Sequence, residues 1–129
     1  HAAALLDILR IVDNRFDDVA LYTALRSPMG GFSDAELLEI ARTGESAARR
    51  RNVKPARGGS VPAYTFWQKA TAYDGALKDR VKAFYALRAE FAEYAKSHDC
   101  ADVLGYITSS IDYFQHVYES NGQAQAVEA

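Results

Sequence analysis

The stretch Arg26 to Leu37, Arg-Ser-Pro-Met-Gly-Gly-Phe-Ser-Asp-Ala-Glu-Leu, puts a helix end, a glycine turn and a new helix start side by side. Pro28 disfavours helical geometry at Ser27, so a helix carrying Val19, Leu21, Ala24 and Leu25 stops there. Ser33-Asp-Ala-Glu36 has the form of a capping box: the serine oxygen accepts from the Glu36 N–H while the carboxylate reaches back, and the next helix starts at Asp34. Between these helices Gly30 and Gly31 can take φ > 0 and let the backbone approach a ligand. The N–H groups opening the following helix add the positive end of its dipole, which suits a phosphate held without reading sequence. Spacing alone favours a plainer alternative, a helix hairpin with Phe32 pinned in the core. Asp34 and Glu36 also compete for the same helix start.

Helical spacing extends to both sides of the turn. Leu5, Ile8, Leu9 and Val12 mark one face of a helix over residues 2–13, and Asp13-Asn14 favours a break. Asp17 or Asp18 can cap the second helix, which pairs antiparallel with the first. The third carries Leu37, Leu38, Ile40 and Ala41, with Gly44 as its stop. Residues 45–62, with four arginines, Gly58-Gly59 and two prolines, read as a long, basic, flexible excursion. Tyr64 to Tyr73 suits a short helix that buries Phe66 or Trp67, and Asp74-Gly75 is a weak point after it. Leu77, Val81, Phe84, Leu87, Phe91 and Tyr94 form the longest helical stripe. Asp99 or Asp102 can cap a last helix facing inward through Leu104, Ile107, Ile111, Phe114 and Val117. Residues from Asn121 lack a pattern and are expected to fray. With no period-two run and no internal repeat, the expected fold is all-α, five or six helices in a single helical unit over 1–129.

Composition agrees with a packed helical chain. Of 129 residues 49% are hydrophobic, and eight Tyr and six Phe stand against only eight Gly and three Pro. The helical period of the aromatics makes them core rather than base-stacking groups, with Trp67 and Tyr64 the least certain members. A single cysteine, Cys100, excludes an internal disulfide, and no apolar run is long enough to span a membrane. A reducing cytoplasm is the simplest setting. The chain goes from His1 straight into a helical pattern without a signal segment, as a piece of a larger protein would.

Net charge is −2, but Arg42, Arg49, Arg50, Arg51, Lys54 and Arg57 are six of the fifteen Lys and Arg, with Glu45 the one acid among them. A flexible arm of such cations can follow a DNA backbone, each neutralised phosphate steepening the salt dependence by roughly 0.9. A solvated insertion explains the same residues equally well.

Most catalytic chemistry is missing. There is no Gly-x-x-x-x-Gly-Lys-Ser/Thr loop, so ATP hydrolysis by that route is excluded. No His-Glu-x-x-His occurs, and His1, His98 and His116 do not combine with Cys100 at metal-ligand spacing. His98 and Cys100 fit cap and packing roles at a helix junction. Asp17-Asp18 and Glu90/Glu93 fit helix caps and solvated faces better than acid/base pairs.

Leu-Leu-Asp-Ile-Leu-Arg-Ile-Val-Asp-Asn at 5–14 and Asp-Asp-Val-Ala-Leu at 17–21, followed by Leu-Arg-Ser-Pro at 25–28, have a known counterpart. With the turn Gly30-Gly31-Phe32-Ser33 and then Asp34 and Leu37, the segment resembles the accessory 2B subdomain of superfamily 1 DNA helicases of the UvrD/Rep type, especially AddA-like helicase-nuclease proteins. Ala-Asp-Val-Leu at 101–104 is similar to a helix start of that family, and Asn-Gly-Gln-Ala-Gln at 121–125 is a fainter match. Ser33 replaces the second glycine of the UvrD-like turn, and Ser110 stands where a Gly-Tyr pair is usual. The resemblance implies a helix-hairpin-helix-like turn at Gly30, Gly31, Phe32 and Ser33 that contacts duplex or forked DNA, with Arg26 beside it. It implies a parent enzyme using ATP and Mg and a role in repair or recombination. Its implied neighbours are the remaining helicase subdomains and a helicase-nuclease partner subunit. No cofactor is expected within this fragment itself.

Overall fold

The computed structural model describes residues 2–58, 60 and 63–128, with side chains described over 5–58, 60, 63–117 and 119. Gly59, Val61 and Pro62 of the basic stretch lie outside the described residues. Six helices follow one another: α1 Ala2–Asp13, α2 Asp18–Arg26, α3 Asp34–Arg50, α4 Phe66–Ala72, α5 Lys78–Ser97 and α6 Cys100–Glu128. Among the described residues the one β-type pairing is an isolated bridge between Arg57 and Ala63. The all-α expectation holds.

The helix starts follow local chemistry. Asp17 caps α2 by accepting from the Ala20 N–H at 3.1 Å, and the Ser33–Glu36 capping box opens α3 with both bonds formed. A second capping box, Thr65 with Gln68, opens α4 and has its own local signature in Thr-x-x-Gln. Asp99 accepts from the Asp102 N–H at 2.9 Å where α6 begins. Arg88 of α5 donates to the carbonyls of Ile11 and Val12 at 2.8 and 3.1 Å, satisfying the C-terminus of α1 from a distant helix.

The structure corrects or extends the sequence reading at three places. Gly44 does not stop α3; it is buried against the backbone of Lys69, and the helix continues through Arg50, so the start of the supposed excursion is helical and buries Ala47 and Ala48. The stop lies at Asn52, whose φ of +56° lets the N–H groups of Val53 and Asn52 fold back onto the carbonyls of Ala48 and Arg49, the pattern of a Schellman motif. Of the apolar positions carried by α2 and α3, Val19 and Leu38 face solvent, 75% and 56% exposed. From Asn121, where the sequence shows no pattern, the chain is helical, since α6 runs to Glu128.

One main core joins α1, α2, α4, α5 and α6 with the first half of α3, through Ile8, Leu21, Leu25, Phe66, Phe91 and Ile107 among others. Val103 rather than Leu104 supplies the first buried residue of α6. A smaller cluster of Ala47, Ala48, Tyr64 and Ala72 seals the far end of α3 against α4. The glycine turn is held at the edge of the main core, and the second half of α3 projects beyond it.

Candidate nucleic-acid interface

The turn after α2 is closed by its own backbone. Gly30 and Gly31 both donate to the Ser27 carbonyl, at 3.0 and 2.7 Å, and Phe32 donates to that of Leu25 at 3.0 Å. Ser33 donates to Glu36 Oε1 at 2.9 Å. The N–H groups of Gly30, Gly31, Phe32 and Ser33 are therefore already bonded within the protein. The physical cause is local: the last carbonyls of α2 need donors, and the turn residues are the nearest. Gly31 has φ +68°, and a Cβ on Gly30 would fall 2.2 Å from the Leu25 carbonyl oxygen, so both glycines serve the closure of the turn. Phe32 is buried in the core, as the plain hairpin requires.

A residue that no local signal reveals holds this turn in place. Arg80 of α5 donates to the Gly31 carbonyl at 2.6 Å and to Glu36 Oε2 at 2.7 Å, with its guanidinium carbon 4.3 Å from the Phe32 ring centroid. The Ser33 N–H and Arg80 hold the Glu36 carboxyl below its ordinary pKa. Arg26 pairs with Asp34 at 3.2 Å on the exposed surface. Cations of this corner thus share it with two carboxylates.

The basic residues after Arg42 separate into distinct sites. Arg49 and Arg50 are exposed on the last turn of α3, and Arg49 has a 3.7 Å link to Glu45. Arg51 turns to α4 and donates to the Ala72 carbonyl at 3.2 Å. Lys54 is exposed, its carbonyl fixed by Gln68 at 2.7 Å. Arg57 crosses to α2 and meets Asp18 at 2.6 Å. Asp18 also accepts from the Phe66 N–H at 3.0 Å, which makes it a cap for α4 as well as an ion-pair partner. Sequence separation hid that role.

The exposed cations on α3 line an open groove. Arg42 and Arg50 border it with Leu38, Glu39, Thr43 and Ser46 along the outer face of the helix. His98 stacks flat on Tyr94 at 3.6 Å, and its Nδ1 lies 2.9 Å from the Tyr94 carbonyl oxygen, consistent with a packing role. Among the described residues no three His, Cys, Asp or Glu side chains gather into a metal-binding group, and no helix is long and apolar enough to cross a membrane.

Comparison with known proteins narrows the meaning of this arrangement. The AddA-type ATP-dependent helicase/nuclease protein of Bacillus licheniformis is 27% identical over 87% of this chain and 8% of its own length. The protein of the same description from Lactococcus lactis is 28% identical over 97% of the chain and 11% of its own length. A Streptococcus pneumoniae counterpart is 29% identical over 88% of the chain and 9% of its own length. The chain is similar to one short stretch of these helicase/nuclease proteins. It spans about a tenth of the length of these curated relatives. No family model matches the chain, and no solved structure matches it. The AddA-type resemblance carried by residues 5 to 40 thus extends over most of the chain.

Proposed function

We propose that this chain is part of the 2B subdomain of a UvrD/Rep-like, AddA-type DNA helicase, acting in DNA repair or recombination. The parent enzyme would couple ATP hydrolysis with Mg to movement along single-stranded DNA. This segment would hold the duplex backbone ahead of the fork and regulate unwinding. The observation that carries the reading is similarity to AddA-type helicase/nuclease proteins across most of the chain. With no phosphate-binding loop in this sequence, ATP and Mg would be held by other parts of the parent enzyme. Its contribution is to bind and position DNA.

Exposed guanidiniums support phosphate contact better than the turn backbone does. Arg49 and Arg50, with Arg42 and Lys54, offer side chains that can meet successive phosphates, whereas the turn N–H groups would first have to leave their partners. Contact at Gly30, Gly31, Phe32 and Ser33 would instead be steric, with Arg26 supplying charge. Binding of the chain to a forked duplex, followed across a salt series, tests the reading. Affinity is expected to fall steeply with salt and to weaken when Arg49 and Arg50 are changed to Gln. Salt-independent binding, or none at low salt, would sink it.

A second reading is a helical docking module for the remaining helicase subdomains or for a partner subunit. It is favoured by the groove between α2 and α3, where Val19 and Leu38 stand exposed beside Tyr22, Leu37 and Ala41. Val19→Asp would then impair assembly of the parent enzyme while leaving forked-duplex binding unchanged.

A further inference from the structure

On a different part of the surface, the turn between α1 and α2 leaves Arg15 and Phe16 exposed beside α4. The Arg15 guanidinium carbon lies 5.1 Å from the Phe16 ring centroid and 5.5 Å from that of Trp67. Trp67 lies on Tyr85, with centroids 3.6 Å apart and planes 7° from parallel, and Arg88 approaches the same indole at 5.3 Å. Arg51, Val53, Gln68 and Thr71 complete an open groove around Arg15, Phe16 and Trp67. Among the described residues two arginines line it and no carboxylate does.

The lining of this groove carries cations without a carboxylate among the described residues. Among the described residues Arg15 forms no ion pair. Arg88 is held below its ordinary pKa by burial and by the nearby charge of Arg15. Neighbouring guanidiniums without a carboxylate favour an incoming anion, because it relieves their mutual repulsion. Arg51 bonds the Ala72 carbonyl through Nη1, and its guanidinium fork has further donors to offer. The Phe16 ring, 37% exposed, supplies a flat apolar face at the rim.

We propose that this groove binds single-stranded nucleic acid, with one unstacked base on the Phe16 ring and flanking phosphates on Arg15 and Arg51. Every base has a π-face, so such stacking tolerates any sequence. An acidic peptide matches the charge but brings a planar ring to Phe16 only where it carries an aromatic residue, whereas every nucleotide brings a base. The site uses residues other than the exposed arginines of α3 and does not depend on the duplex contact proposed above.

Trp67 is the single tryptophan of the chain, so its emission reports on the groove directly. Titration of the whole chain with a short oligothymidylate at low salt is expected to quench that emission saturably. Phe16→Ala and Arg15→Gln, both at exposed positions, are each expected to weaken binding about tenfold, with far-UV circular dichroism unchanged. Absence of quenching, or undiminished affinity in both variants, overturns the proposal. Equal quenching by polyglutamate overturns it too, since the groove would then be a general anion site. Oligothymidylate quenching that persists in a chain without forked-duplex binding would support this site while removing the duplex reading.

Discussion

Gly44 of α3 and Lys69 of α4 meet backbone to backbone: a Cβ placed on Gly44 would lie 2.0 Å from the Lys69 carbonyl oxygen and 2.5 Å from its carbon. The missing side chain lets two helices approach where any other residue would hold them apart. Gly44→Ala gains helix propensity of about 1 kcal/mol but forces α4 outward, and overpacking of this kind costs about 1–3 kcal/mol. Because the opposing atoms are backbone, the clash is expected to win and lower Tm by several degrees. Gly105, on the exposed face of α6, has nothing within 4 Å of its hypothetical Cβ. Gly105→Ala is therefore expected to raise Tm, and thermal melts of the two variants should move in opposite directions.

Asp18 joins three elements and Arg57 does not. Its carboxylate accepts both from Arg57 at 2.6 Å and from the Phe66 N–H at 3.0 Å. Asp18→Ala leaves the part-buried Phe66 donor without its partner, a loss of about 1–3 kcal/mol. Arg57→Ala removes only the half-exposed partner, 50% accessible, and an ion pair of that kind contributes about 0–1 kcal/mol. Urea unfolding is expected to show the Asp18 variant clearly weakened and the Arg57 variant near the parent chain. Equal losses would mean the ion pair, rather than the cap, is the stabilising contact.

Those contrasts show what local sequence conveys. Ser33 with Glu36, Asp17 and Pro28 act within one helical turn, so the bounds of α2 and the start of α3 were legible. Asn52 acts just as locally, and Asn after a helix is a recognisable stop, but the glycine at 44 carries the more familiar signal. Gly44 itself was illegible because its reason is Lys69, on another helix. Arg80 and Arg88 were missed for the same cause, since their acceptors, the carbonyls of Gly31, Ile11 and Val12, lie far along the chain. A cluster of arginines likewise reads as one arm in sequence although the fold sends Arg51 toward Ala72 and Arg57 toward Asp18. The composition of a surface depends on partners that neighbouring letters do not name.

Glu36 should make stability depend on acid pH. Its folded pKa is depressed, first by the Ser33 backbone N–H and then by Arg80. A depressed carboxyl favours folding at pH values above its unfolded value, about 4.3, and that contribution fades as pH falls through the lower folded value. Urea midpoints measured from neutral pH into the acid range are expected to drop less steeply for Glu36→Gln than for the parent chain. Identical pH profiles would show that the capping carboxylate is not titrating with folding.

The division of the basic residues predicts different salt responses from neighbouring arginines. Arg49 and Arg50 are exposed at the end of α3, whereas Arg57 already has Asp18 at 2.6 Å. If the first two meet duplex phosphates, changing both to Gln should reduce the slope of log affinity against log salt by about 2, roughly 0.9 for each lost phosphate contact. Arg57→Gln should leave that slope nearly unchanged, because binding a phosphate there would require separating Arg57 from its carboxylate. Ser33→Ala provides the complementary comparison: it removes a helix cap worth about 1 kcal/mol of stability and deletes no cation. Its melting temperature should fall while its salt slope stays with the parent chain. A larger slope change for Ser33→Ala than for the double arginine variant would return the DNA contact to the glycine turn and take it away from the end of α3.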